Sequence, residues 1–106
     1  MQNLVQDTVT SYTHAQTVLS GTTMEPLFLN GSLRRGQMRV IPVTGGSCTV
    51  EVSISGARRV MADTASWITL GTYDKDSLIP LVLPLSAVRV TAISEDVVVE
   101  VLAVSY

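Results

Sequence analysis

With 106 residues, 46% of them hydrophobic and only 15% charged, the chain is long enough to bury one core and too apolar for general disorder. A net charge of −2 gives no basic footprint for nucleic acid. The single cysteine, Cys48, excludes an internal disulfide and any cysteine-built metal site.

In chain order, residues 1–16 have neither a basic start nor an apolar run, so no secretory signal is expected, and the stretch reads as an N-terminal arm or edge strand. A strand is expected around 17–19, then a loop with Pro26, then a short apolar piece at 27–29 closed by Asn30-Gly31. The clearest unit is "QMRVIPVTGGSCTVEVSISG". Val50, Val52 and Ile54 alternate with Thr49, Glu51 and Ser53, the period of a half-buried strand. Gly45-Gly46 has the composition of a two-residue hairpin turn, which would set Ile41 against Val50 and Val43 against Cys48. Pro42 has no N–H to give a ladder, so its strand is expected at an edge or bulged there.

"GARRVMAD" (56–63) reads as a short strand or loop, and "SWITLGTYD" as a strand with Trp67 or Ile68 facing in. In "SLIPLVLPLSAVRV" the apolar run covers about 11 residues where a membrane span needs roughly 20, so a soluble product is expected. Pro80 and Pro84 forbid a regular central strand through it. An edge strand over 78–83, a corner at 84–86 and a core strand from Val88 accommodate both prolines. A second hairpin, turning at Glu95-Asp96, would set Ala92 against Val99 and Val90 against Val101. The last strand is apolar on both sides: Val97, Val99, Val101 and Ala103 on one, Val98, Leu102 and Val104 on the other, interrupted by Glu100. Such a strand is either covered on both faces or packs its outer face on another subunit. The whole predicts one domain over 1–106, an all-β antiparallel β-sandwich of jelly-roll-like form.

Chemistry is sparse. His14 has no second histidine to build a triad or a metal set, and it is expected at the surface. Asp74 and Asp76 are spaced as in a calcium loop, but the twelfth position is Leu85, so a solvated turn is expected. Cys48 is expected to be a small buried hydrophobe with no base beside it. Trp67 and Tyr73 could form a sugar platform, although a core tryptophan is the expectation. The cations are six arginines against one lysine, the preference of interfaces over free surface. Arg34, Arg35, Arg58 and Arg59 are therefore interface candidates, joined by Leu81, Leu83, Val98, Leu102 and Val104. No catalytic residue, cofactor or metal is expected, and the protein is read as no enzyme.

Residues 58–106 carry a resemblance. "SWITLGTY", the turn "DKDS", a Pro-containing segment, "AVRVTA" and a closing Val-rich strand resemble small bacteriophage virion structural proteins. The resemblance implies a capsid decoration (cement) or tail or fibre protein, located in the virion after assembly in the host cytoplasm. Its partners would be copies of itself, a trimer favoured, and a major capsid or tail protein, with no nucleic acid or membrane. The same strands are also similar to discoidin-like carbohydrate-binding domains, though the chain is shorter and lacks their paired cysteines. That likeness implies a glycan- or receptor-binding module as the alternative.

Overall fold

The computed structural model describes residues 2–29 and 31–106. Asn30, and with it the expected Asn30-Gly31 turn, lies outside the described residues. Alternation of apolar and polar side chains builds strands β1 (Gln2–Asn3), β2 (Val5–Gln6), β3 (Ser11–Val18), β4 (Leu27–Phe28), β5 (Arg35–Pro42) and β6 (Ser47–Ser53). One helical turn, α1 (Ala57–Met61), precedes β7 (Ile68–Tyr73), β8 (Ser77–Leu81), β9 (Ala87–Ser94) and β10 (Val97–Val104). They form two five-stranded sheets, the first in the order β1-β4-β9-β6-β7 and the second in the order β2-β3-β10-β5-β8. Every described pairing is antiparallel except β1 with β4.

The core lies between the sheets. β10 buries Val97, Val99, Val101 and Ala103; β9 buries Val88, Val90 and Ala92; β6 buries Cys48, Val50 and Val52; and β5 and β8 bury Met38, Val40, Ile79 and Leu81. Removing one such side chain from water contributes about 1.5–3 kcal/mol for Val, Leu, Ile or Met, which is the main force pressing the sheets together. Ser53 is fully buried but satisfied, its Oγ donating to the Ser66 carbonyl at 2.8 Å and accepting from the Ser55 N–H at 3.1 Å.

Several expectations need correction. Neither predicted hairpin exists. β5 and β6 lie in different sheets, and so do β9 and β10, so Ile41 pairs with Val98, Val50 with Val90 and Gly71, and Val101 with His14 and Met38. The turns are real, but they are corners at which the chain crosses from sheet to sheet. Inward alternation on two facing sheets has the same period as alternation along one hairpin, so the sequence pattern fits both. Among the described strands only the β2–β3 and β6–β7 links stay within a sheet.

Residues 56–63 hold α1 rather than a strand or loop. Five residues are too few to display a helical period, and Arg58, Arg59 and Met61 are good helix formers that the β-rich context masked. β3 reaches back from the expected 17–19 to Ser11 and is an inner strand, with the two-residue β2 as the edge beside it and the two-residue β1 as an edge of the other sheet. Pro42 ends an inner strand at a position where the neighbouring β8 has already stopped, so no ladder bond is lost on that side. β8 is an edge strand as expected, but it runs over Ser77–Leu81 and stops short of 83; the corner, with a cis Leu83–Pro84 bond, and the β9 core strand follow it as expected.

Candidate functional site

An enclosed site would have to be built from side chains pointing between the sheets, and these are almost all Val, Leu, Met, Ile and Ala. His14 points inward opposite Val101, half-buried rather than on the surface, with Nε2 2.7 Å from Gln16 Oε1. The thiol of Cys48 is fully buried, and burial pushes its pKa up, away from the thiolate a nucleophile needs. No group of three His, Cys, Asp or Glu stands together among the described residues. A metal centre needs three or four such donors converging on one point, so the residues present do not fit a metal between the sheets.

The outer faces differ sharply. On the first sheet, one end is covered by the 54–67 connection, with Val60 of α1 buried beside Phe28 and Pro26. Next to it Arg89 donates from Nε to Glu51 Oε1 at 3.0 Å and lies 4.0 Å over the Trp67 ring. Beyond that runs a row of hydroxyls, with Thr23 and Thr91 2.8 Å apart and Thr49 and Thr72 3.4 Å apart. Trp67 is thus half-buried on the outside rather than in the core, clamped under a guanidinium. Tyr73 turns the other way and packs on the core cluster. No Trp67–Tyr73 platform exists.

The outer face of the second sheet is uncovered and mixed in character, with Thr13, Thr17, Arg35, Gln37, Arg39 and Glu100 interleaved with apolar side chains. Leu102 (51% exposed) and Val98 (37%) of β10 are separated by β5, with its outward Gln37 and Arg39, from Leu78 (65%) of β8 and Val82 (83%) just past it, and Val5 of β2 lies at the far edge. One groove in this face, about 600 Å³, is lined by Arg34, Arg35, Gln37, Val82, Leu102 and Tyr106, among others. Arg35 lies 5.0 Å from the centre of the Tyr106 ring. A smaller depression, about 480 Å³, shares Gln37 and Leu102 and reaches Arg39, Leu78 and Glu100. There Arg39 holds Asp76 through two nitrogens, Nε to Oδ1 at 2.9 Å, while Glu100 Oε1 stands 3.6 Å from Arg39 Nη1. The guanidinium keeps Asp76 below the usual carboxylate range, and the carboxylate in turn raises Arg39.

Of the residues singled out from sequence, Arg34, Arg35, Val98, Leu102 and Val104 come together on this face. Leu81 and Leu83 line the same groove from its floor, Leu81 otherwise buried in the core and Leu83 half-buried against Leu29, Leu33 and Ala103. Arg58 and Arg59 sit on α1, outside the first sheet, where Arg59 donates to the Thr64 carbonyl at 3.1 Å. Gln37, Leu78, Val82 and Tyr106 were missed. For Leu78 the signal was present: in "SLIPL" it lies on the same side as Pro80, two positions along the strand.

Known proteins give the fold and correct the family. No family model matches the chain, and no curated protein matches it. Among solved structures it is similar to an oxalate oxidase in complex with the substrate analogue glycolate, at 11% identity with a TM-score of 0.56, over 90% of this chain and 42% of that one. It is also similar to the Schizosaccharomyces pombe Cnp3 cupin domain, at 12% identity with a TM-score of 0.56, over 97% and 61% of the two chains. A third is an RmlC-like cupin family protein with a double-stranded β-helix fold from Methanocaldococcus jannaschii, at 10% identity with a TM-score of 0.53, over 99% and 78%. The chain spans about two fifths of the oxalate oxidases it matches.

These neighbours overturn the bacteriophage resemblance and the virion, capsid-decoration, cement and tail roles drawn from it. Strand wording such as "SWITLGTY" records length and alternation, and jelly rolls of unrelated purpose share both. The Trp67–Tyr73 platform expected for the glycan- or receptor-binding alternative is not formed. The fold is an all-β, two-sheet sandwich of the cupin, double-stranded β-helix type.

Proposed function

We propose that the protein is a non-catalytic module that associates with a second copy of itself through the outer face of the second sheet. The carrying observation is the contrast between the two outer faces. One is partly covered by α1 and its loop, clamped by Arg89 and carries a row of threonines, with Ile68, Leu70 and Ile93 of its strands exposed; the other has no such cover over Val98, Leu102, Leu78 and Val82. An apolar patch rimmed by polar and charged groups is the usual mark of a protein contact. The molecule measures 37 × 30 × 20 Å, so a broad face is wide enough for the roughly 800 Å² per partner of a stable interface. The apolar filling between the sheets, with Cys48 buried and no donor set among the described residues, supports the non-catalytic half of the reading.

The test is the mass in solution by light scattering over a dilution series. A dimer at micromolar concentration is expected, and Leu102→Glu should turn it into a monomer without lowering its melting temperature. A wild-type monomer at all concentrations would refute the reading.

A further inference from the structure

Where β5 begins, β10 stops and the chain leaves β8, the second sheet ends in the groove of about 600 Å³. The Arg34 N–H donates to the Val104 carbonyl at 2.8 Å, which ties the start of β5 to the end of β10. Two consecutive arginines, Arg34 and Arg35, are thereby brought to one groove. The side chain of neither forms a hydrogen bond or an ion pair among the described residues. The arginines elsewhere on the sheet faces differ: Arg39 holds Asp76, and Arg89 holds Glu51. No Asp or Glu lines this groove, so its two positive charges are uncompensated there.

The rest of the lining is of another kind. Leu81 and Leu83 form the floor, and Val82 and Leu102 add exposed aliphatic surface beside it. An exposed charge contact alone contributes little, so a bare anion would be held weakly here. An apolar body on the anion would add the burial of aliphatic surface to the charge contact. The groove volume lies within the roughly 300–1,000 Å³ of small-molecule pockets.

We infer that this groove binds a small amphipathic carboxylate, its head held by Arg34 and Arg35 and its alkyl body laid along Leu81, Leu83 and Leu102. The Arg35 guanidinium stands over the Tyr106 ring, 5.0 Å from its centre. That contact steadies the guanidinium but supplies no acceptor oxygen, so the donors of its fork remain for a carboxylate. Binding here does not depend on the association proposed above.

Octanoate is the probe, titrated into isotope-labelled protein and followed by backbone amide shifts. Wild type and Val98→Asp are titrated side by side. Val98 lies on the same face outside the groove, so the variant keeps a second copy from masking the site. Saturable shifts are expected at residues 34–37 and 102–106, with a dissociation constant of about 1 mM or tighter. The double variant Arg34→Gln, Arg35→Gln should bind at least about tenfold more weakly. Acetate, a head without a body, and octylammonium, the same body with the opposite charge, should give no saturable shift in wild type. No saturation by about 10 mM octanoate in both proteins would overturn the assignment. So would unchanged affinity in the double variant, or octylammonium binding as well as octanoate. The mass in solution decides the association separately, whatever octanoate does.

Discussion

Cys48 illustrates how burial decides the chemistry of a single group. Its sulfur sits in the sheet-to-sheet core among Val50, Ala92 and their neighbours, and losing water raises the cost of the thiolate. In the folded protein the thiol should react with a disulfide reagent at about pH 8 far more slowly than a free cysteine of pKa about 8.5, and reach the free rate only in denaturant. Fast labelling of the native state would contradict the buried placement. Asp76 is the opposite case, an exposed carboxylate whose pKa is lowered by the hydrogen bonds from Arg39. Its folded value lies below the unfolded one, so the pair's contribution is complete above about pH 4 and disappears as pH falls through the folded value. Asp76→Asn should therefore lower the urea midpoint slightly near pH 7 and have a progressively smaller effect as pH falls below about 4, as read from parallel denaturation curves.

Corners, rather than strands, give this fold its identity. Gly45 takes a left-handed φ of 85°, and Gly46 lies where a Cβ would come within 2.7 Å of the Ser94 carbonyl and 2.8 Å of the Glu95 Cβ. Val43 N–H donates to the Asp96 carbonyl at 3.1 Å, and the Ser20 N–H to its carboxylate at 2.9 Å, so the 43–46 and 95–96 corners are fastened to each other. Gly46→Ala should cost about 1–3 kcal/mol in a denaturant titration, since backbone rather than a flexible side chain stands in the way. The sequence announces both corners through Gly45-Gly46 and Glu95-Asp96, and it announces which residues of β6, β9 and β10 face inward. It is silent on pairing, because a turn residue specifies a local bend and not the sheet on which the next strand lands. The helical turn at Ala57–Met61 was hidden for the same reason: its evidence is too short to have a period.

At the scale of the molecule, the two broad faces have separate fates. The apolar second side of β10 was legible in Val98, Leu102 and Val104, and the structure puts that strand at the centre of its sheet with this side uncovered. The electrostatic pattern was not legible. Arg35, Arg39, Asp76 and Glu100 are scattered along 66 positions and become neighbours only through the β5–β10 and β5–β8 pairings. Tyr106 joins Arg35 for the same reason.

The place of β10 has a consequence for how the protein comes into being. β10 is the hydrogen-bond partner of both β3 and β5, on its two sides, yet it follows both in the chain. While the polypeptide is still being synthesised, those two strands must wait with a vacant berth between them, their inward Val18, Met38 and Val40 wet. Non-local pairing of this kind makes for slow maturation. The window for mispairing, or for capture by a chaperone, closes only after residues 97–104 have left the ribosome.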